Sequence, residues 1–268
     1  MSTPDPRSPN VGRVRSRVGG LRADRSVIFR GQDLHTDLAG IDWLDLFAFG
    51  ITGRRFDAAR LKLMHALWAN TSYPDARIWN NRVAALAGSS RSTGNLGLAA
   101  ALAVSEANIY GRGNEVQAVS FFLRTRQALQ QGATLADCIG QEMRDHGRVA
   151  GYGRPLLDGD ERIAPTMALA DTLGLADGPH LQLAFEVERH FEARGKNLRL
   201  NYGCLVSAFG ADLGFTPTQF GLFMFPSFLA GMPPCHIDAA EQPEGSLLPI
   251  PCDQLRYEGP PPRRWAAE

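Results

Sequence analysis

The sequence is short of paired metal ligands, of charge imbalance and of internal repetition, and each shortage closes off a class of function. Its four cysteines, Cys138, Cys204, Cys235 and Cys252, show no Cys-x-x-Cys spacing. They read as reduced thiols rather than as a zinc ribbon or a thioredoxin-like redox motif. The six histidines, His35, His65, His146, His180, His190 and His236, lie apart in the chain. None forms a pair at metal-ligand spacing, so no metal is expected and each reads as surface or satisfied core. Lys plus Arg number 28, as do Asp plus Glu, and such a balance is no electrostatic footprint for nucleic acid. The start, Met1-Ser2-Thr3-Pro4-Asp5-Pro6, is polar and has no apolar signal region. No apolar run is read as approaching the roughly 20 residues of a spanning helix, so no membrane partner is expected and the cytoplasm is the default location. A repeat period of roughly 20–50 residues is also missing, which sets aside solenoids.

What is present is enough chain, 268 residues, to bury a core as one large domain or two smaller ones. Residues 1–20 are rich in Pro, Arg, Ser and Gly and read as a flexible arm. The rest reads as helices. Asp42–Phe49 and Ala58–Trp68 place apolar residues at i, i+3 and i+4, and Leu96–Ala107 is rich in Leu and Ala. Glu115–Gln131 sets Val116, Val119, Phe122 and Leu123 against Arg124 and Arg126. Pro165–Leu175 opens on a proline suited to a first helical turn, and Pro179–Arg194 is amphipathic. Ala208–Leu213 reads as a turn, and Pro217–Gly231 is strongly apolar. Val27–Phe29 reads as a short strand, and Gly245–Gly259, with Pro249 and Pro251, as loop. The expected class is all-α.

One stretch carries more than composition. In Val149–Arg162, Gly151 and Gly153 flank Tyr152, Arg154 follows, and Asp160 and Arg162 close the segment. Glycines at such positions let a backbone approach a ligand closely at low steric cost. With Val27–Leu34, Trp43–Gly53, Asn81–Ser89, Ile109–Glu115, Asn197–Gly203 and Asp253–Pro260, in that order along the chain, the sequence resembles the citrate synthase superfamily over nearly its whole length.

The resemblance implies a large helical domain from residues 21–112 and 209–268, with a smaller helical domain, 113–208, closing over a cleft. It implies a homodimer, with Leu96–Ala107 in the interface; the same helix can also be core of a monomer. It implies a coenzyme A thioester as substrate, with no permanently bound cofactor, and a small anionic or acyl-CoA ligand as partner. The length is close to that of lyase-type domains, which lack the extra N-terminal portion of long citrate synthases. The family reaction needs a carboxylate to take the α-proton, a His to stabilise the enol and a second His to polarise the keto carbonyl.

This chain departs from that pattern at each of those slots. Tyr110 stands for the enol-stabilising His, Arg154 for the carbonyl-polarising His and Arg199 for the carboxylate base. Tyr110 keeps a hydrogen-bond donor. Arg154 can polarise a carbonyl or grip a carboxylate but gives up no proton near neutrality, and Arg199 cannot serve as a base.

These three are the candidate catalytic residues. Arg112, Asn114 and Asn201 are candidate substrate contacts, and Gly151, Tyr152, Gly153 and Arg162 are candidate contacts for the CoA moiety. Arg112, Arg154 and Arg199 are expected to face one anion-holding pocket, because clustered guanidinium groups need a counter-charge between them. Structural roles stand beside each functional one. Tyr110 can pack at a helix end, Arg154 can pair with Asp160 or Glu115, and Arg199 can pair with Glu115. Asn114 and Glu115 can cap a helix.

Two functions follow. One is an enzyme that makes or breaks a C–C bond on an acyl-CoA or related anionic acyl substrate with a non-standard catalytic set. The other is a non-catalytic relative that binds a CoA thioester, another anion or a partner protein. An unrelated reaction on the same scaffold is a third.

Overall fold

The computed structural model describes residues 15–108, 111–154, 159–247, 250–261 and 263. Among these the chain is predominantly helical, as its periodicities predict, with one small sheet. Strands β1 (Gly19–Leu21), β2 (Val27–Phe29) and β3 (Gln32–Asp33) pair antiparallel in the order β1-β2-β3. The strand expected at Val27–Phe29 is therefore the centre of a meander built from its own neighbours.

Two compact units divide the chain, residues 1–72 with 106–228 and residues 73–105 with 229–268. The first holds the sheet and the helices α1 (Trp43–Thr52), α2 (Ala58–Thr71), α5 (Arg112–Gln130), α6 (Leu135–His146), α7 (Ile163–Thr172), α8 (Pro179–Glu192), α9 (Tyr202–Asp212) and α10 (Pro217–Met224). The second holds α3 (Trp79–Ser89), α4 (Gly94–Val104) and α11 (Met232–Glu241).

In the first unit α5 is the axis, packed by α6, α8, α9 and α10. Its buried face, Ala118, Val119, Phe121 and Phe122, meets Leu205, Val206, Phe209, Phe220 and Phe223 in one continuous core. Each of the Val, Leu and Phe side chains among these, fully buried, stabilises by about 1.5–3 kcal/mol relative to exposure. Side-chain caps fix the helix starts. Asp42 accepts from Leu44 and Asp45 at α1, and Thr216 with Gln219 forms a capping box at α10. In the second unit α3 packs on α4 and α11 at close range. A Cβ on Gly88 would strike the carbonyl of His236, so glycine is what lets the α3 and α11 backbones approach.

Several expectations are corrected. Ala208–Leu213 is no turn; residues 208–212 complete α9, which begins at Tyr202 and is buried nearly throughout. Asn114 and Glu115 do not cap α5. That helix starts at Arg112 with Gly111 as its N-cap, and no side chain caps it. The apolar stretch Pro217–Glu241 is, by length and composition, long enough to cross a bilayer. It is broken by a 3-10 turn at Phe225–Ala230, and Phe220, Phe223, Met224 and Met232 are fully buried within the protein.

Candidate functional site

The glycine-rich loop is built as its sequence requires. Gly151 and Gly153 have φ of +92° and +85°, values that only glycine adopts without strain. A Cβ on Gly151 would stand 2.7 Å from the Cβ of Cys204. The loop is clamped onto the segment before α9. The amide of Gly153 donates to the Arg199 carbonyl at 2.7 Å, and that of Asn201 to the Gly151 carbonyl at 2.9 Å. Tyr152 and Leu200 form the bridge between these two bonds. Asn201 then does two things at once. Its side-chain oxygen caps α9 at the Cys204 amide, 3.1 Å, and its side-chain nitrogen donates to the Gly153 carbonyl, 2.9 Å. The two motifs that resemblance singled out separately, 151–153 and 199–201, thus form one structural piece.

Tyr152 turns its side chain inward. Its hydroxyl donates to the Ala184 carbonyl at 2.8 Å, and its ring meets the edge of Phe191. Burial pushes its phenol well above the ordinary value, and neighbouring Cys204 adds to the shift. Burial also pushes the Cys204 thiol up to about 12, so this cysteine is no nucleophile.

Beside the loop lies a run of alternating charge. The carboxylate of Asp160, whose side chain is 1% exposed, accepts two bonds of 2.8 Å from the Arg162 guanidinium and one of 2.9 Å from the Tyr202 amide. Arg154 reaches the same carboxylate at 3.6 Å and pairs more closely with Glu161. Burial pushes Asp160 up, but the Arg162 hydrogen bonds and charge outweigh it, and its carboxyl lies below the ordinary value. The Arg162 guanidinium also stacks over the Tyr202 ring, 4.4 Å from its centroid.

The N-terminal turn of α5 supplies the next pair. Arg112, 1% exposed, donates to Glu115, 7% exposed, and its guanidinium lies 4.2 Å from the Phe228 centroid, with Ser227 Oγ at 3.4 Å. Burial pushes Arg112 down and Glu115 up, and in each case the partner's charge only partly restores the ordinary value. A buried ion pair of this kind carries a desolvation cost set against its mutual attraction. Ser72 donates to the Ser227 carbonyl, and the Asn70 amide donates to Thr166. The end of α2 and the starts of α5, α7 and α9 are thereby linked through polar groups. Within this region the Trp68 indole N–H, Arg112 Nε and the Tyr202 hydroxyl are buried with no hydrogen-bond partner among the described residues.

The remaining candidates fall as follows. Tyr110 lies outside the described residues, as does the 155–158 part of the signature stretch. Asn114 accepts from Arg148 at 2.8 Å through its side-chain oxygen. Arg199 is exposed and lines a pocket of about 250 Å³ with Lys196, Asn197, Glu188 and Glu192. The arginines were expected to share one anion; carboxylates of the chain itself stand beside Arg112 and Arg154. Asp160 is the residue that motif reading undervalued. Its signal was the Asp-x-Arg spacing to Arg162, and only the fold shows that it also ties Arg154 and the start of α9. Among the described residues no group of His, Cys, Asp or Glu is arranged to hold a metal ion.

No protein-family model matches the sequence, and no curated protein sequence matches it. Solved structures do match in fold. Citryl-CoA lyase from Hydrogenobacter thermophilus superposes with a TM-score of 0.80 at 17% identity, over 94% of this chain and 97% of that one. ATP citrate lyase from Methanosaeta concilii in complex with (3S)-citryl-CoA gives 0.72 at 16% identity, over 97% of this chain and 43% of that one. Citrate synthase from Thermoplasma acidophilum, with carboxymethyl coenzyme A and oxaloacetate, gives 0.66 at 17%, over 85% and 60%. The chain shares the all-α fold of these three enzymes. Its length corresponds to the lyase chain as a whole and to less than half of the ATP citrate lyase chain.

Proposed function

We propose that this protein makes or breaks a C–C bond on an acyl-CoA or related anionic acyl substrate, as an enzyme of citryl-CoA lyase type with an altered catalytic set. The observation that carries the reading is the likeness to citryl-CoA lyase across nearly the full length of both chains. In this reading Tyr110 and Arg154 polarise the reacting oxygens, Arg112, Asn114 and Asn201 hold the acyl part, and Arg162 and Arg199 meet anionic groups of the thioester. A homodimer belongs to the same proposal. Leu96, Ala100 and Val104 recur along one face of α4, and all three are exposed in the single chain.

A second reading is favoured by one feature. Arg154 is engaged by Asp160 and Glu161, and an arginine replaces the carboxylate base at 199, as a non-catalytic CoA-thioester binder tolerates. Incubation with citryl-CoA, and separately with acetyl-CoA plus oxaloacetate, followed by mass spectrometry of the thioesters, separates the two. The enzyme reading expects cleavage or condensation, and the binding reading expects a thermal shift with neither. Citrate synthesis with release of free thiol is expected to fall far below the usual turnover of about 1–10³ s⁻¹.

A further inference from the structure

The C–C bond reading leaves the work of the base unassigned, because Arg199 stands in its slot. The fold holds another carboxylate in a suitable state. Glu115 lies in the first turn of α5, its side chain 9% exposed. Arg112, three residues earlier, donates to its Oε2, and among the described residues no hydrogen bond reaches its Oε1. One oxygen is anchored and the other is left to accept. The Glu115 carbonyl receives the Ser207 hydroxyl at 3.3 Å, which ties this turn to α9. Asp160 cannot take the role. Arg162 and the Tyr202 amide occupy both of its oxygens, and its carboxyl holds a proton less readily than usual. Burial makes Glu115 hold one more readily, with Arg112 opposing in part. A carboxyl shifted toward neutrality is better matched to proton transfer.

We propose that Glu115 is the general acid–base of this protein, positioned by Arg112. The assignment rests on the C–C bond reading. In the cleavage direction the Glu115 carboxylate takes the proton of the substrate hydroxyl. The oxygen's electron pair forms the carbonyl as the bond from that carbon to the thioester α-carbon breaks. The electrons of the broken bond pass to the thioester as its enolate. Glu115 then returns the proton to the α-carbon, so that a 3-hydroxyacyl thioester becomes an acyl thioester and a carbonyl compound. Atoms and charge balance with no co-reactant, and condensation is the same path reversed.

Wild type, Glu115→Gln and Glu115→Asp are compared in two assays. One follows cleavage of citryl-CoA. The other follows deuterium uptake from D₂O at the acetyl methyl of acetyl-CoA. Acetyl-CoA affinity is measured alongside by calorimetry. Glu115→Gln is expected to lose about 10²-fold or more in both rates with affinity nearly unchanged, the usual scale for an acid–base group. Glu115→Asp keeps the charge beside Arg112 but draws the carboxylate back, and a smaller loss is expected. Wild-type turnover with Glu115→Gln nearly as fast overturns the assignment and leaves the C–C bond reading standing. Where Glu115→Gln does not fold, a wild-type rate in Glu115→Asp overturns it equally. A wild type that neither cleaves nor exchanges overturns the C–C bond reading and this assignment with it.

Discussion

At the scale of single residues, the buried charges set the stakes. Asp160 is bound by two arginines and an amide in a dry setting. Asp160→Ala is therefore expected to destabilise by about 3–5 kcal/mol in urea denaturation, since it removes the buried carboxylate that holds the Arg162 guanidinium and the Tyr202 amide. Its pH dependence has a fixed sign. The folded-state value lies below the ordinary 3.8, so the stabilisation is complete above that value and disappears as pH falls through the folded one. Asp160→Asn should flatten the acid limb of the stability curve below about pH 4, and an unchanged limb would contradict the assignment. Arg112 and Glu115 behave oppositely, both disfavoured by burial. Replacing the pair together, Arg112→Met with Glu115→Leu, should be neutral or stabilising by about 1–4 kcal/mol, while either change alone costs about 3–5. Calorimetric melting of the four proteins in the cycle reads the difference. Sequence alone named Arg112, Arg154 and Arg162 and offered Asp160 as a partner for Arg154; the structure adds Glu161 to Arg154, Arg162 to Asp160, and Glu115 to Arg112.

At the scale of elements, the unit that matters is the loop 151–153 joined to residues 199–201. Asn201→Ala removes the α9 cap, worth about 0.5–2 kcal/mol, together with the bond to the Gly153 carbonyl. Hydrogen exchange should speed at the amides of both Gly153 and Asn201, which close the clamp; faster exchange at the start of α9 alone would mean that the clamp does not depend on this side chain. Gly151→Ala meets both left-handed strain and the Cys204 side chain. Its cost should reach about 1–3 kcal/mol from the packing alone. Helices α1, α2, α4, α5, α7, α8 and α10 were legible in the sequence, whereas α3, α6, α9 and α11 were not read as helices. α9 is buried on nearly all faces and so shows no polar side to give a period. Its cap Asn201 was legible as a residue but was read as a substrate contact.

At the scale of the molecule, the proposed homodimer and the proposed chemistry are both open to direct measurement. Light scattering on the full chain is expected to give a dimer. Leu96→Glu, on the exposed face of α4 where Leu96 is 69% exposed, is expected to give a monomer, because burying that charge unpaired costs several kcal/mol. A monomeric wild type would remove the proposal. The sequence by itself determined the helical class, since helical periodicity and composition are local in residue type and spacing. It also singled out Gly151 and Gly153, but for close approach of a ligand; that their backbone itself calls for glycine is seen in φ values of +92° and +85°. Only the tertiary structure decided which charges neutralise one another, that Tyr152 packs inward, and that no hydrogen bond among the described residues reaches Glu115 Oε1. Those outcomes depend on burial and on contacts between distant segments, and burial is a property that a residue acquires from the rest of the chain.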